Sequence, residues 1–192
     1  KKKGISTKDI IQSKSNRTTE KMRIVAEGQQ VVRVDWDANS LTDKNLNKVL
    51  KQVFKKITNA DGVIISDYNK GICTELIVKN IISKAKELQI PVLVDPKGKK
   101  WNKYYGASII TPNLKEAEGV FGSKLNNNAE VEKAGAEICN SLDLKACLIT
   151  RGSKGMSYIS QDLKFHVKSE AKEIYDVSGA GDTVIAAFSS AT

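Results

Sequence analysis

Seven residues, Asp176-Val177-Ser178-Gly179-Ala180-Gly181-Asp182, put two glycines and a terminal carboxylate at the head of an apolar, small-residue stretch, Thr183-Val184-Ile185-Ala186-Ala187-Phe188, that reads as a helix. Glycines permit close backbone approach and unusual dihedrals. The unpaired N–H groups of a first helical turn, with the positive end of the dipole, attract an anion. A transferring phosphoryl group is such an anion. Asp182, at a helix end that favours its ionised form, can accept a proton from an attacking hydroxyl. The stretch is not a P-loop, because no Gly-Lys-Ser/Thr follows, and it lacks the third glycine of a dinucleotide fingerprint. Taken alone, Asp176 or Ser178 could instead do no more than cap a helix whose entrance the glycines shape.

The elements that would position this chemistry follow from periodicity. Lys21 to Ala26 and Gln30 to Trp36 are β-branched runs joined through Glu27-Gly28-Gln29, which reads as a hairpin with Val32 and Val34 on one face and Arg33 and Asp35 on the other. Thr42-Asp43 caps a predicted helix carrying Leu46, Val49, Leu50, Val53, Phe54 and Ile57 at three- and four-residue spacing. The strand Val63-Ile64-Ile65 leads into the loop Ser66 to Gly71. A helix from Thr74 then places Ile77, Val78, Ile81, Ala85 and Leu88 on a core face. The strand Pro91 to Val94 ends in Asp95-Pro96-Lys97-Gly98, and Ser108-Ile109-Ile110 ends in Thr111-Pro112-Asn113. A helix opens at Leu114 with Glu116 in its first turn, another runs near Ala129 to Leu142, and the strand Ala146 to Ile149 ends in Thr150-Arg151-Gly152-Ser153-Lys154-Gly155. Two short strands, near Met156 to Ser160 and Leu163 to Val167, precede the glycine motif, while residues 1–20 read mostly as loop. Strand, polar loop and helix recur, which predicts an α/β domain with a mainly parallel sheet covered by helices on both faces. Each polar cluster follows a strand, at the edge where ligands bind in open α/β sheets.

Composition narrows the function classes. The chain has 192 residues, 40% hydrophobic and 28% charged, as in a water-soluble globular domain. No apolar run reaches the roughly 20 residues of a membrane span, so no membrane is expected and the expected location is cytoplasmic. Three cysteines, without a CxxC pair, argue against a disulfide framework or a zinc site, and Cys139 and Cys147 sit in core patterns. The single histidine, His166, reads as an ordinary strand residue. A net charge of +9 invites a nucleic-acid reading, but the lysines are scattered without aromatic interleaving, so no nucleic acid is expected.

The motifs resemble the ribokinase-like sugar kinases. Asp176 to Asp182 is similar to their glycine-rich signature, and Asn113-Leu114-Lys115-Glu116 to their Asn-x-x-Glu motif. Within that family, Arg33-Val34-Asp35, Ser66 to Gly71, Asp95 to Gly98, Thr111 to Leu114 and Thr150-Arg151 most resemble the bacterial heptose 7-phosphate kinases. The resemblance implies a ribokinase-like three-layer fold with a lid hairpin at 21–36. It implies ATP as phosphoryl donor, magnesium, and a hydroxyl of a phosphorylated heptose as acceptor, giving heptose 1,7-bisphosphate for ADP-heptose and lipopolysaccharide core synthesis.

By resemblance, Asp182 is the base and the amides of Gly179, Ala180 and Gly181 form the anion hole. Asn113, Leu114, Lys115, Glu116, Thr150, Arg151 and Gly155 serve the nucleotide and magnesium, with no metal site built from protein ligands alone. Asp67, Lys70, Asp95, Lys97 and Arg33 are candidate substrate-side groups, and the hairpin is a candidate homodimer contact. Trp36-Asp37 and Ser178 depart mildly from the family pattern. The expected organisation is a partial kinase domain over 1–192, without the family's N-terminal segment and C-terminal helices and without a nucleotidyltransferase domain. Alone it is expected to bind ATP weakly and to turn over little. A related kinase for another sugar and a non-catalytic nucleotide-binding remnant are the alternatives.

Overall fold

The computed structural model describes residues 6–13, 17–26, 29–37, 42–170 and 179–191. Strands β1 (Glu20–Ala26) and β2 (Gln29–Trp36) pair antiparallel, with Met22 opposite Val34 and Ile24 opposite Val32. The hairpin expected at 21–36 therefore forms, although its turn residues Glu27 and Gly28 lie outside the described residues. Its apolar face is uncovered among the described residues: Met22, Ile24, Val32 and Trp36 are 50%, 47%, 42% and 46% exposed.

The main sheet holds β3 (Val63–Ser66), β4 (Val92–Asp95), β5 (Ile109–Ile110), β6 (Ala146–Thr150), β7 (Met156–Ser160) and β8 (Lys164–Val167), adjacent in chain order. β3 to β6 are parallel, while β7 and β8 add antiparallel. The helices are α1 (Asp43–Ile57), α2 (Glu75–Glu87), α3 (Leu114–Phe121), α4 (Asn128–Leu142) and α5 (Ala180–Ala191). Parallel neighbours in sequential order, joined by right-handed crossovers, place α2, α3 and α4 on one face; α1 packs on α2 there. Strand alternation divides the core accordingly: Val92 and Val94 join the cluster under these helices, whereas buried Leu93 and Ile185 lie outside it. α5 covers that second face against β3 and β4, with Phe188 6.2 Å from Tyr158 of β7.

Local chemistry sets the helix ends. The Thr74 hydroxyl accepts from Ile77 N at 3.3 Å to start α2, and Ile77, Val78, Ile81, Ile82 and Ala85 are buried. Leu88, expected on that core face, is 36% exposed because α2 stops at Glu87 and the chain reverses through Gln89 at φ 57°. Asn127 accepts from Glu130 N at 2.9 Å to open α4. Because β3 to β6 run parallel in register, the loops after Ser66, Asp95, Ile110 and Thr150 emerge at one edge.

Candidate active site

Gly179 precedes α5 in the left-handed region (φ 78°), a conformation that suits glycine, and its carbonyl accepts from Thr183 N at 2.9 Å. The helix that follows puts Asp182 in its first turn, at the C-terminal edge of β3 and β4. There the Tyr68 hydroxyl donates to the Asp182 carboxylate, 2.9 Å from Oδ1 and 3.0 Å from Oδ2. Donation to Asp182, then burial, holds the Tyr68 hydroxyl above the ordinary tyrosine pKa. The first half of the motif, Asp176 to Ser178, lies outside the described residues.

Asn113 and Glu116 form a reciprocal capping box at the head of α3: Glu116 N donates to Asn113 Oδ1 and Asn113 N to Glu116 Oε2, both at 3.0 Å. The other Glu116 oxygen accepts from Lys97 Nζ at 2.7 Å. Asp95 is partly buried beside them. Burial first, then the charges of Glu116 and Asp182, push its carboxyl up to about 6 against the pull of Lys97. Leu114 is partly buried and Lys115 exposed on the first turn of α3.

Asp67 is buried and fully engaged. It accepts from Asn69 N at 2.6 Å, from the Tyr104 hydroxyl at 2.7 Å and from Lys103 Nζ. Lys103 and Tyr104 lie in a short helical turn, Asn102–Tyr104, between β4 and β5. Lys70 in the loop after β3 pairs with Asp37, just past β2, and Lys21 of β1 stands 5.1 Å from the Tyr68 ring centroid. The charged face of the hairpin therefore turns toward the site. Arg33 stays on that face, paired with Asp35 at 3.0 Å.

Thr150 bridges to Asn113, and its N–H donates to Pro112 O at 2.9 Å, which joins two of the candidate loops. Arg151 is committed elsewhere, donating to Asn128 Oδ1 at 2.7 Å and Ser157 Oγ at 3.0 Å. Ser157 continues the chain to His166 Nδ1 at 2.8 Å, and His166 Nε2 reaches Glu132 Oε1 at 3.0 Å. Glu132 only accepts, so Nε2 carries the proton. His166 is thus a tie between β8 and α4 as well as a strand residue. Gly155 has φ 86°, and a Cβ there would lie 1.9 Å from Val167 O. Burial pushes the Cys73 and Cys139 thiols up to about 11 and that of Cys147 well above its ordinary value, so none is an activated nucleophile.

The pattern of the pfkB family carbohydrate kinases matches residues 1–192. The chain belongs to the pfkB family. Among curated relatives in this family, the bifunctional protein HldE of Wolinella succinogenes is 42% identical over 184 residues, 95% of this chain and 39% of that protein. The bifunctional protein HldE of Helicobacter pylori is 39% identical over 187 residues, 97% of this chain and 40% of that protein. The chain thus spans about two-fifths of the length of these relatives. Two solved structures share the fold. One is phosphofructokinase-2 from Escherichia coli in complex with substrates and products, 21% identical with a TM-score of 0.72 over 90% of this chain and 57% of that one. The other is Arabidopsis thaliana ribokinase complexed with ribose and ATP, 21% identical with a TM-score of 0.71 over 91% of this chain and 56% of that one. The pfkB fold brings Asp182, Asp95, Asn113, Glu116, Lys97 and Thr150 to one edge. The sequence reading missed the contact between Tyr68 and Asp182 and the support of Asp67 by Lys103 and Tyr104. Only the aromatic residues Trp101 and Tyr104, set in a polar run, signalled the latter.

Proposed function

We propose that this pfkB-family chain carries the phosphoryl-transfer site of an ATP-dependent kinase acting on a hydroxyl of heptose 7-phosphate to give heptose 1,7-bisphosphate, a step toward ADP-heptose and the lipopolysaccharide core. The observation that carries the proposal is Asp182 in the first turn of α5, at the same sheet edge as the Asn113–Glu116 box, in a chain of this family. The heptose acceptor rests on the motif resemblance and on the identity with bifunctional protein HldE.

In the proposed reaction the sugar hydroxyl oxygen bonds to the γ-phosphorus of ATP and its proton passes to Asp182. The bond from phosphorus to the bridging oxygen breaks, and its electron pair leaves on ADP. The first-turn amides after Gly179, which have no partner within α5 by position, face the transferring group as donors. Thr150 and the turn at 152–155 supply the nucleotide side, Lys97 stays a candidate group on the substrate side, and Arg151 holds the β6 loop to α4.

The residues fit a hydrated magnesium ion. After burial, the charges of Glu116 and Asp182 also raise the Asp95 carboxyl, and a cation among these three carboxylates would relieve that repulsion. Asn113 and Glu116 would hold the ion through water, as suits magnesium, which keeps several of its own waters. When bound, magnesium neutralises charge on the phosphate oxygens.

The exposed apolar face of β1 and β2 favours a homodimer through the hairpin. Against a basic nucleic-acid module, many lysines are paired with carboxylates, among them Lys56, Lys79, Lys84, Lys124 and Lys164. No helix among the described residues is long and apolar enough to cross a membrane. The test is acceptor-dependent ADP release by the complete protein carrying this chain, with heptose 7-phosphate, ribose and fructose 6-phosphate compared. The highest kcat/KM with heptose 7-phosphate is expected; a higher value with either other sugar moves the protein to another branch of the family.

A further inference from the structure

We infer that the Tyr68 hydroxyl is a removable cap on Asp182, which ties proton acceptance to the presence of the sugar and so restrains phosphoryl transfer to water. The inference rests on the reading of Asp182 as the base.

One hydroxyl spans both oxygens of the carboxylate, at 2.9 and 3.0 Å. An acceptor hydroxyl that is to give its proton to Asp182 competes with Tyr68 for the same pair of oxygens. The geometry makes displacement inexpensive, because Tyr68 is 50% exposed and its ring leaves no core cavity when it swings away. It also links displacement to the hairpin. Lys21 of β1 stands 5.1 Å from the Tyr68 ring centroid, and Lys70, two residues along the same loop, pairs with Asp37 beyond β2. A sugar seated between the hairpin and α5 meets the Tyr68 loop and the charged hairpin face together. A single water molecule has no comparable contact with which to move them.

In the reaction restrained by the cap, the oxygen of water would bond to the γ-phosphorus and its proton would pass to Asp182. The bond to the bridging oxygen would break, leaving ADP and inorganic phosphate. While Tyr68 donates to the carboxylate, its one hydroxyl spans the two oxygens that would take the proton. The charges facing this pair are Asp95 on β4, which interacts with Asp182, and Lys21 on β1; Glu116 and Lys97 adjoin Asp95. None of them donates to both Asp182 oxygens as Tyr68 does.

Tyr68→Phe keeps the ring over Lys21 and removes only the hydroxyl. In the complete protein, with ATP and magnesium, the ratio of acceptor-independent hydrolysis to acceptor-dependent transfer should rise about 3- to 10-fold, the worth of one half-exposed hydrogen bond. A merely structural tyrosine would lower both rates and leave the ratio unmoved. The rise should vanish in Tyr68→Phe combined with Asp182→Asn. An unchanged or lower ratio in Tyr68→Phe, with Asp182→Asn alone inactive, overturns the cap and leaves the base in place. A rise that survives in the double variant also overturns it, because the hydroxyl would then not act through Asp182. Retained turnover in Asp182→Asn alone overturns the base and the cap together.

Discussion

The hydroxyl of Tyr104 donates to Oδ2 of Asp67 at 2.7 Å, and both side chains are buried. Lys103 reaches the same carboxylate and also donates to Cys73 O at 3.1 Å, while Asp67 N donates to Asp95 O at 3.0 Å. One carboxylate therefore holds the loop that carries Tyr68 to the loop that carries Lys97. Tyr104→Phe removes the hydrogen bond to the charged Asp67 and the acceptor that Lys97 N reaches at 3.3 Å, and should cost about 1.5–3 kcal/mol. Asp67→Ala leaves the Lys103 ammonium, only 16% exposed, without its carboxylate and should cost about 3–5 kcal/mol. Urea denaturation at pH 7 measures both, and equal small losses would show that Asp67 is a surface turn.

Asp95 gives the fold a pH dependence. Its carboxyl stands at about 6 when folded against 3.8 ordinarily, so the folded state binds more protons across that window. Stability from this group therefore falls as pH rises from about 4 to 6 and is level above. Asp95→Asn removes the fall, so the variant should match the parent near pH 4 and melt higher at pH 7. A variant that melts lower at pH 7 would mean that the ionised carboxylate is well compensated.

Gly155 separates a structural from a nucleotide-binding role. Any Cβ there would stand 1.9 Å from Val167 O, at φ 86°. Gly155→Ala should destabilise by at least ~1–3 kcal/mol from backbone strain alone, whether or not nucleotide is present. Thermal denaturation without ligand checks this. Unaltered stability with weakened ATP binding would assign the glycine to the nucleotide instead.

Much of this was legible in the sequence because periodicity and capping are local. Thr74, Asn113 and Asn127 each start the helix that follows, and the polar ends of β3 to β6 share an edge because parallel pairing requires it. What was not legible depends on residues far apart in the chain. Tyr68 meets Asp182 across 114 positions and Asp67 meets Tyr104 across 37, and no spacing rule reaches so far. Arg151 lies in a nucleotide-binding motif by resemblance, yet its guanidinium turns to Asn128 and Ser157, a choice set by the packing of α4 on β6 and β7. Leu88 kept the helical spacing of α2 but fell one residue past its end.

Glu116 has two roles that a conservative change separates. In Glu116→Gln the side-chain oxygen can still accept from Asn113 N, so the α3 box should survive, while the charge facing Lys97, and with Lys97 the proposed hydrated cation, is lost. The magnesium concentration for half-maximal rate should rise, with the sugar KM changed little. A shift confined to the sugar KM would move Glu116 to the acceptor side.

The most direct test of the account is Asp182→Asn in the complete protein, with ADP release and ATP binding measured side by side. The amide keeps the shape of the first turn of α5 but cannot take the hydroxyl proton, so ATP binding should persist while sugar-dependent ADP release falls by roughly 100- to 10,000-fold. Near-parental ADP release in that variant would contradict the assignment of Asp182 as the base and, with it, the proposed mechanism.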